Sequence, residues 1–242
     1  MGSREPRPRR RSRAPPRAPL LLVCLLAGGC VSEDDARLKL SSGVADGLEV
    51  MARSDHEWVG DFQPLIEEMG LQRHVRGVGS IELTTFTYGH FGVFPLNADT
   101  SRVNNGNFAW ANRMPPAVFA DVRARPERPT LVINHPRGSA FEGYFNVAGY
   151  SAETGTANPS MWDDGFTAVE FFNNSSFEQN PAQVADWFSF LRRGRRVFAV
   201  GSSDSHRIST SPVGCWALYN KTRPVLPFSM MISPSVPVTR NS

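Results

Sequence analysis

Cysteine is nearly missing from this chain: three in 242 residues, and two of them, Cys24 and Cys30, fall in one apolar stretch near the start. Cys215 is left alone. That excludes an internal disulfide framework and a thiolate cluster for zinc. Beside Trp216 it reads as a core residue rather than a nucleophile. Several enzyme signatures are absent too. GSSDSH (Gly201–His206) lacks the second glycine of a Gly-x-Ser-x-Gly elbow. GVGSIE (Gly77–Glu82) has no third glycine and no helix start, which argues against a dinucleotide loop. There is no P-loop, no His-Glu-x-x-His helix, no internal repeat and no apolar run of the ~20 residues a spanning helix needs.

Basic charge is also scarce once its location is noticed. Residues 1–19 hold seven Arg and one Glu, a net of +6, while the whole chain carries only +3. Everything after residue 19 therefore sums to −3. The pI near 9 belongs to the first segment, and a nucleic-acid partner is not expected. The aromatics of FAW, DWFSF and EFFNN fall at helix and strand spacing as core residues, with no basic groove for a base-stacking platform.

What is present begins with APLLLVCLLAGGC, a short apolar run after an Arg/Pro-rich start. A positive start, a short apolar core and small residues before a break describe an export leader. Leu26-Ala27-Gly28-Gly29-Cys30 resembles a bacterial lipoprotein signal, with Cys30 as the lipidated residue and an acyl chain as the membrane anchor. An ordinary cleaved signal and a misassigned start are the alternatives. The expected organisation is a leader over 1–30, one domain over 31–214, and an irregular Pro-rich tail over 215–242.

Between these ends, apolar strand-like runs alternate with helical ones. GLEVMA, GVGSIELTTF, HFGVFPL, TLVINHP, FTAVEFFNN and RVFAV read as strands. FQPLIEEMG, PPAVFADVRAR and NPAQVADWFSFLRRG read as helices, the last with Asn180 as N-cap, Pro181 in the first turn and Gly194 as the stop. Polar, Gly/Asn-rich segments over 97–116 and 138–164 read as long loops. The alternation predicts an α/β fold with a largely parallel sheet.

The polar residues near the ends of those strands form a pattern. Asp55 and His56 follow the first, Glu82 and His90 come with the next two, and His135 closes another. Glu170 and Asn173 follow on EFFNN, and Asp204 and His206 follow on FAVGSSDSH. Four of the five histidines stand in such places; His74 reads as surface. Singly, each is as readily a structural histidine or a turn. Together, imidazoles and carboxylates without thiolates favour Zn, Mn or Fe held through nitrogen and oxygen.

With these residues in hand the chain resembles the PHP (polymerase and histidinol phosphatase) superfamily, and within it the CehA/McbA-like metallohydrolases. The motifs are Ser54-Asp55-His56, Gly79-Ser80-Ile81-Glu82, Gly89-His90, Asn134-His135-Pro136, Glu170-Phe171-Phe172-Asn173 and Gly201-Ser202-Ser203-Asp204-Ser205-His206, spread over about residues 36–214. The resemblance implies a distorted (β/α)7 TIM-like barrel of PHP type, incomplete at both ends, with up to two or three divalent ions. It implies His56, Glu82, His135, Asp204 and His206 as metal ligands, His90 as a lining residue or ligand, and Glu82 as a bridge. The chemistry implied is phosphoester hydrolysis by a metal-bridged water, with carbamate or amide bonds as the alternative, acting on a small molecule. Glu82 and Asp204 are the catalytic candidates. Asp55, Arg137, Glu170, Asn173 and Arg207 are candidates for supporting or substrate contacts, the arginines by position only. The family opens with a His-x-His strand, and no histidine precedes His56. A degenerate, non-catalytic envelope binding protein is therefore the other reading.

Overall fold

The computed structural model describes residues 23–28, 33–139, 141–173, 180–202 and 204. The described strands form two sheets. The first is parallel, in the order β1 (Val23–Gly28), β2 (Val50–Asp55), β3 (Arg76–Gly79). The second runs in the order β4 (Ile81–Thr85), β5 (Gly89–Phe94), β6 (Thr130–Ile133), β7 (Ala168–Asn173), β8 (Phe198–Ser202). Its first three strands are antiparallel and its last three parallel. β1 lies inside the stretch read as an export leader, and Cys30 and the tail fall outside the described residues.

The fold is α/β, but the expected (β/α)7 TIM-like barrel is corrected: two sheets, one of them mixed, and no closed barrel among the described residues. The physical reason sits between β4 and β5. A barrel of that type needs a helical crossover between successive strands. Here Thr85 and Gly89 are joined by a tight hairpin, in which Thr85 Oγ1 donates to Gly89 O at 2.7 Å and accepts from Tyr88 N at 3.1 Å. Gly89 is required at this turn. Its φ is 123°, and an added Cβ would stand 2.9 Å from the Cβ of Tyr144.

Three helices form where expected: α2 (Gln63–Glu68), α3 (Pro115–Arg123) and α5 (Pro181–Arg192), each opening with proline in its first turn. Asn180 precedes α5 but makes no side-chain capping hydrogen bond, contrary to expectation. α1 (Glu33–Ala45) and the short α4 (Tyr144–Val147) went unread in the sequence. α1 and α2 cover the three-stranded sheet, where Ala36, Leu40, Met51, Phe62, Ile66 and Val75 share one apolar cluster. α3, α4 and α5 contribute Val118, Phe119, Tyr144, Phe145, Trp187 and Phe190 to the core of the five-stranded sheet. No helix among the described residues is long and apolar enough to cross a membrane.

The strand period of two divides the larger sheet into a helix-packed apolar face and an opposite face that carries polar groups beside a small apolar cluster of Phe94, Val132 and Ala168. Ile81, Leu83, Phe91, Val93, Ile133, Val169 and Phe171 point into the helix-packed core. Glu82, Thr84, His90 and Glu170 alternate with them and so stand on the opposite face. The smaller sheet reaches that face through single bridges, His56 with Glu82 and Gly60 with Ser80.

Gly79, at the junction of the sheets, accepts a 2.7 Å hydrogen bond from Leu96 N. A Cβ there would run into the carbonyl oxygen of Leu96, a backbone atom that cannot swing away. Gly79→Ala should therefore cost ~1–3 kcal/mol as overpacking. A urea midpoint that falls at unchanged slope will show it, and an unshifted midpoint would rule the close approach out.

Candidate metal centre

Glu82 and His90 meet because of strand register. Glu82 on β4 faces Gly92 on β5, and Thr84 faces His90, so Glu82 and His90 are diagonal neighbours on one face. The residue opposite Glu82 has no side chain, which leaves its carboxylate room. His135 stands two residues beyond the end of β6, with φ 24°, outside the backbone range a histidine prefers. Its N–H donates to Glu170 Oε2 at 2.5 Å, which holds that bend.

Glu82 is almost fully buried and lies at the centre. Its Oε1 is 3.6 Å from His90 Nδ1 and 3.7 Å from His135 Nε2, and its Oε2 is 3.0 Å from His56 Nδ1. Asn134 Nδ2 donates to Oε1 at 2.9 Å, while Asn134 Oδ1 accepts from Gly92 N at 3.2 Å. Thr84 Oγ1 lies 2.6 Å from His56 Nδ1. Glu82, His90 and His135 each offer one ligand atom, all within 4.8 Å of one another, so this trio can hold a metal ion.

The buried polar atoms fit that role. His135 Nδ1 is buried without a hydrogen-bond partner, and Glu82 Oε2 is buried and approached by His56 Nδ1 at 3.0 Å but not hydrogen-bonded, an expensive arrangement unless something else engages them. Glu82, Asn134, His135, Glu170 and Asp204 also border a polar cavity of about 10 Å³. That is room for a single water or ion. A carboxylate with neutral imidazoles suits a divalent transition metal.

Burial alone would raise the pKa of Glu82, but hydrogen bonds to His135 and His90, the nearby charge of His56 and the Asn134 amide outweigh it and hold the carboxyl well below the usual range. Burial acts to lower His135. Its bond to Glu82 and the charges of Glu170, Glu82 and Asp204 overcome this and push it up to about 9. Glu170 is raised, by burial first, despite His135 and its own hydrogen bonds.

These shifts set an expected pH dependence for the metal-free protein. His135 titrates above the ~6.5 of an unfolded histidine, so its contribution is full below ~6.5 and is lost as pH rises through about 9. Glu82 is shifted down, so its contribution is present above the ordinary carboxylate range and is lost only in strong acid. Both shifts describe one interaction, counted once, on the order of 3 kcal/mol. The Tm of the chelator-treated chain should fall between pH 6.5 and 9. Added Mn or Zn should remove that fall, because ligation requires the neutral imidazole. A flat metal-free profile over this range would contradict the Glu82–His135 pairing.

The remaining candidates divide. His56 adjoins the other oxygen of Glu82, and Asp204 borders the small cavity. Glu170 accepts from Asn173 Nδ2 at 3.1 Å and from Ser202 Oγ, tying β7 to β8 at an irregularity in their register. Asp55 is taken up by Arg53, whose Nε is 2.7 Å from its Oδ2. Arg137 lies against α5. It forks onto buried Asp186 at 2.8 and 2.7 Å and onto Tyr150 O at 2.8 Å, which makes it a brace between a loop and α5. His74 is exposed, as expected. His206 and Arg207 lie outside the described residues.

No role was read from sequence for Asn134, Thr84, Ser202 or Glu57, although Asn134 and Ser202 stand in the motifs. Thr84 was signalled by its two-residue spacing from Glu82, and Asn134 by adjacency to His135. Glu57 gave no such signal. It sits at φ 56° and accepts from Thr84 N at 2.7 Å, Asn107 Nδ2 at 2.8 Å and Trp110 Nε1 at 2.8 Å.

No protein-family model matches the chain, and no curated protein matches it. Among solved structures it is similar to the crystal structure of PsfC from Pseudomonas syringae PB-5123, at 16% identity and a TM-score of 0.46, with 76% of each chain covered.

Proposed function

We propose that the chain is a metal-dependent hydrolase of PHP, CehA/McbA-like ancestry, acting on a phosphoester or related ester of a small molecule. The single observation that carries this reading is the convergence of Glu82, His90 and His135 around one buried point. His56 and His90 also border a cavity of about 570 Å³, large enough for a small substrate.

In this reading Glu82, His90 and His135 hold a divalent ion, Mn, Zn or Fe, with Asp204 and His56 beside them. A bound ion supplies positive charge that polarises the scissile group and acidifies water. The chain's own residues do the rest. Glu170 fixes the backbone of His135 and so aims its ring. Asn134 orients the Glu82 carboxylate through Oε1. Thr84 and Glu82 hold His56 at Nδ1, where it can accept or return a proton at the cavity wall.

The same trio serves a second reading, a metal-binding protein without catalysis. One experiment separates them. The full chain, reconstituted with Mn or Zn, is assayed against an aryl phosphate, a phosphodiester, an aryl ester and an aryl carbamate. The proposal expects turnover of at least one substrate, reduced at least ~100-fold in His90→Ala and Asp204→Ala. Metal retention with equal, background rates in all three proteins would leave only the binding reading.

A further inference from the structure

Residues 205–242 carry four basic side chains, Arg207, Lys221, Arg223 and Arg240, and no acidic one, a net of +4. The +3 of the whole chain, less +6 for residues 1–19 and +4 for this tail, leaves −7 for residues 20–204. The tail and the fold it follows are of opposite charge. At the tail's centre stands Lys221-Thr222-Arg223-Pro224-Val225-Leu226-Pro227-Phe228, a Pro-x-x-Pro segment preceded by two cations. Such a segment favours the polyproline II conformation, which makes no internal hydrogen bonds and lays prolines on aromatic rings at little ordering cost.

The cavity beside His56 and His90 offers a wall of that kind. Phe86 and Phe141 border it, 72% and 63% exposed, unusual positions for large apolar rings. Phe86 is nonetheless held, edge-on to Trp110 at 5.7 Å between centroids, and Trp110 Nε1 is anchored on Glu57 Oε2 at 2.8 Å. The charged residues of the cavity beyond the histidines are Glu57 and Glu142, and no Lys or Arg borders it among the described residues. Ser139 Oγ donates to Glu142 Oε2 at 2.7 Å, a neutral donor that sets the carboxylate on the rim and leaves its charge in place.

The tail also starts close by. Asp204, just ahead of it, borders the small polar cavity together with His135. The ring of His135 lies 4.8 Å from that of His90, which borders the large one. From Asp204 to Lys221 the chain can span up to about 55 Å, ample to return to the cavity.

We propose that residues 221–228 of this chain's own tail dock in the cavity, with Pro224 and Pro227 against Phe86 and Phe141 and Arg223 on Glu142. The docked segment covers His56 and His90 and competes for space with anything else that enters. Apolar burial on two rigid rings supplies the attraction, and the carboxylates on the wall fix which cationic segment is accepted. The docking stands apart from the hydrolase reading, because it needs the cavity wall and not the chemistry of the metal centre.

The test is native-state digestion of the full chain with trypsin, which cuts after Lys221 but not between Arg223 and Pro224. Cleavage after Lys221 should be at least ~10-fold slower than in a synthetic peptide of residues 216–230. Phe86→Ala and Phe141→Ala should each speed it about 3- to 5-fold, while Phe188→Ala, an exposed ring on α5, should change nothing. Arg223→Glu and Glu142→Arg should each speed it about 5-fold or more, and the two together should return it to within about 2-fold of wild type. That rescue separates docking from a loss of fold. Cleavage of the wild type at the peptide's rate overturns the proposal. So does protection that survives every cavity variant, which would put the tail elsewhere. Protection that fades on ~100-fold dilution would assign the cavity to the tail of a second copy, and overturns docking within one chain.

Discussion

Glu82→Gln should lower the affinity of the chain for Mn or Zn by at least about 100-fold and, with it, remove the proposed hydrolysis. The amide keeps the volume of the carboxylate and can still accept from Asn134, so the fold should survive. What it loses is the negative charge facing three imidazoles at 3.0, 3.6 and 3.7 Å. Among the described residues, Glu82 is the carboxylate that pairs with all three. The same substitution should flatten the metal-free stability profile between pH 6.5 and 9, because the bond and charge of Glu82 are among the main causes that raise His135 to about 9. A variant that binds metal normally, or keeps the wild-type pH slope, would show that Glu82 is not the hub.

The second large effect is expected at Glu170. It is a buried carboxylate that takes no part in the ligand trio, yet three donors depend on it: His135 N, Asn173 Nδ2 and Ser202 Oγ. Glu170→Ala leaves them without their acceptor in a cavity with room for about one water. At ~1–3 kcal/mol for each buried polar group left unsatisfied, and with the costs not fully additive, the loss should be about 3–5 kcal/mol. That is a large part of the ~5–15 kcal/mol a domain commands, so urea unfolding should move to a much lower midpoint. Glu170→Gln keeps the volume and one good acceptor, and should fall between alanine and wild type. Its metal affinity should still drop about 10- to 100-fold, because the bend that aims His135 is no longer held by a charge-assisted bond. A destabilisation below ~1 kcal/mol in the alanine variant would remove Glu170 from this role.

How much of this was legible in the sequence depends on which interaction decides each feature. α2, α3 and α5 could be read because prolines and stops mark their ends and apolar spacing marks their faces. α1 could not, because EDDARLKLSSGVA shows little helical periodicity, and it is packing of Ala36 and Leu40 on the smaller sheet that fixes it. β4 and β5 were both read as strands, but the antiparallel direction of their pairing was not. That direction rests on Thr85 closing the hairpin and on the clearance between Gly89 and Tyr144, contacts that no local pattern encodes.

The site followed the same division. His56, Glu82, His90, His135 and Glu170 stood out because rare residue types recurred at strands. Their convergence was implied only by the resemblance to a barrel family. In the structure it comes instead from alternation across a mixed sheet, with Glu82 and His90 inside strands rather than at their ends. Arg137 was a candidate by position alone, while its partner in the structure, Asp186, is 49 residues away. Glu57, which ties Trp110 and Phe86 to the cavity wall, likewise depends on partners 27 to 53 residues distant.

The central claim is that Glu82, His90 and His135 form a metal centre whose ligand His135 carries a proton until the ion displaces it. Isothermal titration of the full chain with Mn or Zn at pH 7.5, in buffers of different ionisation enthalpy, tests this most directly. Saturable binding with release of about one proton per ion is the predicted result. No saturable binding, or binding without proton release, would contradict it.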